Sequence, residues 1–211
     1  MMSGTVITIA VMSETVNTDY NCPMVRWEPD SKGRLAQAAL VLYGEQGFDK
    51  TTVAEIAERA GLTERTFFRH FTDKKEVLFA GAQGLHDLFV TSVLEAPPSA
   101  TPIEAVTVAL EAAGSRFNPN REFSLHRQRI IDGSAELQER ELIKLASLAT
   151  ALADALRQRG VADPTAGLLG EVAIAIFKIS FERWVSPSET RDLTTLMRDS
   201  LDQLRVISGA A

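Results

Sequence analysis

Apolar residues recur at three- and four-residue spacing through most of the chain, and that period predicts an all-α protein. The first clear face is Leu35, Ala38, Ala39, Leu42 and Tyr43. Asp30 or Ser31 can cap this helix, Gly47 can end it, and Phe48 anchors the turn that follows. In TTVAEIAERAG (51–61) the apolar face is Val53, Ile56, Ala57 and Ala60. Thr52 with Glu55 three residues on predicts a capping box, and Gly61 predicts an end at positive φ, where a Cβ would clash. Thr63 caps a third helix from Glu64 to about Phe71. Asp73 and Glu76 predict a second capping box opening a fourth. Beyond residue 80 the period gives helices over 101–117, 121–131, 135–160, 163–185 and 188–207, with Asp163 as a cap and Pro164 in the first turn. The stretches APPSATP (96–102) and NPNRE (118–122) read as loops by composition. Neither a strand period nor an internal repeat is evident. The division expected is a disordered tail over 1–25, a small helical domain over 26–79 and a helical body over 80–211.

The stretch GLTERTFFRHF (61–71) is unusual for either a core or a surface helix, since it mixes three Phe with two Arg and a His. Gly61-Leu62-Thr63 is a three-residue turn between two short helices, and the small Ala57 lets them cross closely. That is the helix-turn-helix arrangement. Phe67 and Phe71, four apart, are expected to pack inward. Glu64, Arg65, Phe68 and Arg69 then fall on the other side, free to meet a DNA groove.

Net charge is −6, which argues against nucleic acid until its distribution is considered. Within 59–75 the balance is positive, with Arg59, Arg65, Arg69, Lys74 and Lys75 against Glu64 and Asp73. Screening limits attraction to about 8 Å at physiological salt, so a local patch matters more than the total. A single cysteine, Cys22, excludes an intrachain disulfide framework and fits a reducing cytoplasm. The N-terminal run has no basic residue before its apolar part and makes a poor signal peptide. Met12 and Met24 offer alternative starts. No apolar run reaches the roughly 18 residues needed to span a bilayer, so no membrane partner is expected. The three histidines are scattered, and no HExxH, nucleophile elbow, GxGxxG or phosphate loop occurs. No enzyme activity, metal or cofactor is expected.

Residues 31–79 resemble the N-terminal DNA-binding domain of the TetR family of bacterial transcriptional regulators. The resemblance is carried by TTVAEIAERAGLTERTFFRHFTDKKEVLF (51–79), by the preceding YGEQGFDK (43–50) and by the chain length. Its motif here is Gly61, Leu62, Thr63, the variable triplet Glu64-Arg65-Thr66, Phe67-Phe68, Arg69-His70, Phe71 and Lys74. The resemblance implies DNA contacts from Thr52, Thr63, Glu64, Arg65, Thr66, Phe68, Arg69, His70 and Lys74. Thr52 and Thr63 stand at helix N-termini, where free N–H groups favour a phosphate. Lys74 and His70 can add donors to phosphates. Arg65 and Arg69 carry the fork that matches guanine O6 and N7. Glu64 either accepts from a cytosine amino group or orients Arg65. Many members carry Tyr where this chain has Phe68, so contact there is apolar, with a thymine methyl or a sugar. Arg26 is placed to reach a minor groove as N-terminal arms do, and Lys75 stands between solvent and a phosphate.

The family pairs through its last two long helices, which implies a homodimer through 164–207. The residues agree: Leu168, Leu169, Val172, Ile174, Ile176, Phe177, Ile179, Phe181 and Trp184 leave that helix apolar on more than one face. The family also implies a small-molecule effector pocket in the body, with His86, Phe89, Phe117, Phe123, Arg129 and Phe177 as candidates. SLHRQR (124–129) reads either as a helix surface or as the polar end of such a pocket. The function expected is a sequence-specific, DNA-binding transcriptional regulator, a ligand-released repressor acting as a homodimer on a palindromic double-stranded operator. The alternative is a small-molecule-binding or enzymatic bundle with a vestigial DNA-binding hairpin.

Overall fold

The computed structural model describes residues 31–207 and 209; the expected tail, Cys22, Arg26 and the Asp30 cap lie outside them. Among the described residues the chain is all helix and connection, with no strand. Helix α1 (Ser31–Gln46) buries Leu35, Ala38, Ala39, Leu42 and Tyr43 on one face, and Gly47 ends it at φ +90°. Helix α2 (Val53–Arg59) opens on the complete Thr52/Glu55 capping box. Helix α3 (Glu64–His70) is capped by Thr63, whose side chain accepts from the Thr66 N–H. These three helices pack around Leu35, Ile56 and Phe67, all fully buried.

The segment after α3 departs from expectation. Lys75–Phe79 is a 3-10 helix, and only half of the expected box forms. Asp73 Oδ1 accepts from the Lys75 and Glu76 N–H groups, at 2.9 and 3.1 Å. Glu76 does not reach back to Asp73, because its carboxylate is held by Arg140 and Lys144 instead. Helix α4 (Ala82–Glu95) follows after Gly81. The stretch Lys75–Glu95 is long and apolar enough to cross a membrane by averaged hydropathy, despite its charged residues. Here it is divided between two helix types, and α4 buries Phe89 and Val93 in the body.

The body comprises α5 (Pro102–Phe117), α6 (Arg121–Asp132), α7 (Ala135–Gln158), α8 (Thr165–Trp184) and α9 (Leu193–Ile207). Its core gathers Phe89, Leu152, Leu156, Trp184, Leu193 and Leu196. A Thr101/Glu104 capping box and Pro102 start α5. Three boundaries differ from the sequence reading. Asn118–Asn120 forms a 3-10 turn and Arg121 already belongs to α6, so 118–122 is not a loop. Asp163 faces Arg157 in a bidentate pair, at 2.9 Å on both oxygens, and Pro164 takes the N-cap position of α8. Helix α9 starts at Leu193, not near 188. Before it, Arg121 donates to the carbonyls of Trp184, Ser186 and Glu189, which holds the connection that follows Trp184.

Head and body share a joint. Ile131 of α6 and the fully buried Leu137 of α7 lie in the same apolar cluster as the α1–α3 core. Glu76, side chain only 17% exposed, bridges the 3-10 helix to Arg140 and Lys144 of α7. Lys75 reaches Glu136 at 2.9 Å.

Candidate functional site

The turn between α2 and α3 is built from local rules. Leu62 N–H donates to Ala57 O at 2.8 Å and Gly61 N–H to Glu58 O at 2.9 Å, the paired bonds of a Schellman end. Gly61 sits at φ +63°, where only glycine is free of strain. Arg34 of α1 donates to the Ala60 and Gly61 carbonyls and so ties the turn to the first helix.

That turn sets the phase of α3. Phe67 is fully buried and Phe71 nearly so, with their rings 5.5 Å apart. Phe68 packs edge-on to Phe67 yet is 55% exposed, an outlay of apolar surface that folding alone does not explain. Glu64, Arg65 and Arg69 are exposed with it. Arg65 has no side-chain partner among the described residues. Among the described residues the Arg69 side chain meets only His70 Nε2, at 3.4 Å.

Other candidate DNA contacts are placed differently. Thr52 and Thr63 are exposed at their caps, with their hydroxyls already accepting from Glu55 and Thr66 N–H. Thr66 is half-buried, its hydroxyl 3.0 Å from that of Thr63. His70 turns back to α1, with Nε2 2.7 Å from Ser31 Oγ. Lys74 does not stand out towards a phosphate. Its ammonium donates to the carbonyls of Phe48, Asp49 and Thr51 at 2.8, 3.2 and 3.0 Å, and lies 4.4 Å from the Phe48 ring centre. Arg59 forms a two-point pair with Glu45, and Lys75 faces Glu136. Arg59 and Lys75 thus face carboxylates of the protein and Lys74 is turned onto carbonyls, which leaves Arg65 and Arg69 as the cations open on the α3 face.

Beneath the head lies a cavity of about 820 Å³. Its walls come from α1, the end of α3, the 3-10 helix and α4 to α8. Of the six expected pocket residues, His86, Phe117, Phe123 and Phe177 line it. Phe89 does not: it is fully buried behind Phe177, edge-on at 5.8 Å. Arg129 does not either, because it points to solvent from the far side of α6. Its neighbours Ser124, Arg127 and Gln128, part of the 124–129 stretch that read as either a helix surface or a polar pocket end, do line the cavity, as do Lys32, Arg116 and Phe181, which the sequence reading did not single out for the pocket. Arg127 Nε donates to Leu78 O at 2.8 Å, Nη1 reaches Glu141 at 3.1 Å, and the guanidinium stands over Phe79. Burial lowers the Arg127 pKa, opposed by the Glu141 carboxylate. The polar cluster 124–129 is therefore divided: half of it is the polar wall of a pocket. His126 instead faces the Leu40 carbonyl of α1, at 3.3 Å.

An exposed helix set by a glycine turn, above an all-helical body, defines a helix-turn-helix type of DNA-binding regulator. The model of the bacterial regulatory proteins of the TetR family matches residues 35–80, and that of the MftR C-terminal domain matches 100–207. The chain belongs to the TetR family of transcriptional regulators. The HTH-type transcriptional regulator TcmR of Streptomyces glaucescens is 26% identical over 187 residues, 83% of each chain. A TetR-family regulator structure from Syntrophomonas wolfei has a TM-score of 0.63 at 17% identity, over 84% of this chain and 94% of that one. FadR of Bacillus subtilis, solved with stearoyl-CoA, has a TM-score of 0.58 at 18% identity, over 82% and 96%. These structures share the fold.

Proposed function

We propose that this regulator is a homodimeric repressor that reads a palindromic operator and releases it when a small molecule fills the body cavity. The observation that carries the reading is the outer face of α3, where Glu64, Arg65, Phe68 and Arg69 stand exposed over the buried Phe67. Arg65 and Arg69 read guanine, Phe68 meets a thymine methyl or sugar, and Glu64 accepts from a cytosine amino group. Pairing is supported by α8. Ile174, Phe177, Phe181 and Trp184 face the chain's own core, while Leu168 and Ile179 are 65% and 60% exposed on another face. A second copy on that face gives two reading heads related by a two-fold, as a palindrome requires. Coupling is supported by the cavity walls, which include Lys32, His70 and Phe71 of the head as well as α4 to α8. An occupant touching both parts favours one head orientation, and its affinity is then reciprocally linked to that for DNA. FadR, a relative in fold, binds stearoyl-CoA, which agrees with a small-molecule effector.

The test is selection of randomised duplex DNA by the purified dimer, followed by sequencing. Recovery of a two-fold-symmetric site is expected, bound with an affinity that falls steeply as salt rises, by about 0.9 log units per log unit of salt for each phosphate contact. Failure of a folded dimer to enrich any sequence, with and without cell extract, refutes the reading.

A further inference from the structure

The charges around the cavity are not balanced. Three carboxylates line it, and each already faces a cation of the same wall: Glu76 with Lys144, Glu141 with Arg127 and Glu182 with Lys178. Arg116 and Lys32 also line it, and neither has a carboxylate partner among the described residues. A surplus of cations is unexpected in a chain of net charge −6. Arg116 ends α5 beside Phe117, with its guanidinium lying against Gly84 of α4. The Phe117 ring lies within contact of Phe177 and Phe181, at 5.7 and 5.5 Å between centres. Charge and aromatic wall thus meet at one helix end. The volume, about 820 Å³, lies in the range of small-molecule sites.

We propose that the cavity selects an anionic amphiphile, its apolar body against Phe117, Phe177 and Phe181 and its acidic head held by Arg116, with Lys32 adding positive potential from the head domain. This deepens the effector reading above and rests on it. A neutral ligand of the same shape leaves the two cations without a counter-charge, and a cationic one meets them unscreened. A carboxylate or a phosphate head each fits the guanidinium fork.

The experiment is calorimetric titration of the full-length dimer with dodecanoate, dodecyl phosphate, dodecanol and dodecylamine, each below its micelle concentration. At least one acid is expected to bind about 10–100-fold tighter than the alcohol, the usual range for a charged hydrogen bond, with the amine weakest. The tighter acid identifies the head group. Arg116→Gln should lower the acid-to-alcohol ratio about tenfold and leave dodecanol affinity unchanged, while Arg116→Lys retains most of the preference. Equal binding of acid, alcohol and amine overturns the proposal, as does binding by none of the four, or a ratio that Arg116→Gln does not move. The same titrations repeated on the selected operator complex separate the two readings. Tight acid binding without DNA release leaves this site chemistry standing and refutes the coupling.

Discussion

Replacing Lys74 by Met removes the ammonium and keeps the aliphatic stem over Phe48. Two roles for Lys74 then predict opposite results. As a phosphate anchor, its loss weakens DNA binding and leaves folding untouched. As the structure has it, three carbonyls of the α1–α2 connection lose their donor. A hydrogen bond from a charged group is worth about 1.5–3 kcal/mol, and three sharing one partly solvated ammonium are not additive, so a total of about 2–3 kcal/mol is expected. In a chain of this size each kcal/mol moves Tm by roughly 2–4 °C, which puts the loss at about 4–12 °C. Thermal unfolding by circular dichroism measures it, with operator affinity measured well below Tm on the same sample. The clamp also fixes where α2 starts relative to α1, so some loss of affinity accompanies the loss of stability. An unchanged Tm with a large fall in affinity for every duplex refutes the reasoning and returns Lys74 to the phosphate backbone.

Four further expectations follow. Arg65→Ala should relax base preference at one position of each half-site by about 1–3 kcal/mol while changing Tm little, read by repeating the selection with the variant. Leu168→Glu with Ile179→Glu should give a monomer by sedimentation; a persistent dimer means that another face pairs. A Cβ on Gly170 meets Ala149 O at 2.5 Å and Ala153 N at 3.2 Å, so Gly170→Ala should destabilise the α7–α8 contact by about 1–3 kcal/mol in chemical denaturation. Burial pushes the Glu76 pKa up, but hydrogen bonds from Arg140 and Lys144 outweigh it and the net shift is downward. The stability it contributes is therefore present above the unfolded value of about 4.3 and is lost as pH falls through the lower folded value. The Tm gap between the native chain and Glu76→Gln should be widest at neutral pH and close towards pH 3; a gap independent of pH means that the ion pairs do not hold the joint.

The head was legible because its determinants are local. Thr52 and Glu55 are three residues apart, Gly61 directly follows the last turn of α2, and Phe67 and Phe71 share one face by spacing alone. The role of Lys74 was not, because its acceptors lie 23 to 26 positions back in the chain and meet it only after α1 has folded onto the segment. The same holds for Glu76: a capping spacing is present, but Arg140 and Lys144, more than sixty residues away, compete for the carboxylate and win. Charged partners brought in by tertiary structure outweigh a helix cap, since a cap contributes only about 1 kcal/mol.

The body shows where the inward-apolar rule itself misleads. Helix α6 has few apolar residues, so its phase is weakly marked, and Arg129 and Arg127 look equivalent in sequence. At 3.6 residues per turn they stand on nearly opposite sides. Ser124, Arg127, Gln128 and Ile131 stand at i, i+3, i+4 and i+7, the spacing of one face, and the fully buried Ile131 marks that face as inward. Reading from Ile131 backwards would have selected Arg127. The polar members of that face are turned inward because the space they face is a cavity rather than packed core, and a cavity with apolar walls and a few fixed polar groups is what a ligand site needs. The positions where the periodicity rule fails on this helix are thus those that face the cavity, and under the proposed function binding is the demand that overrides packing there.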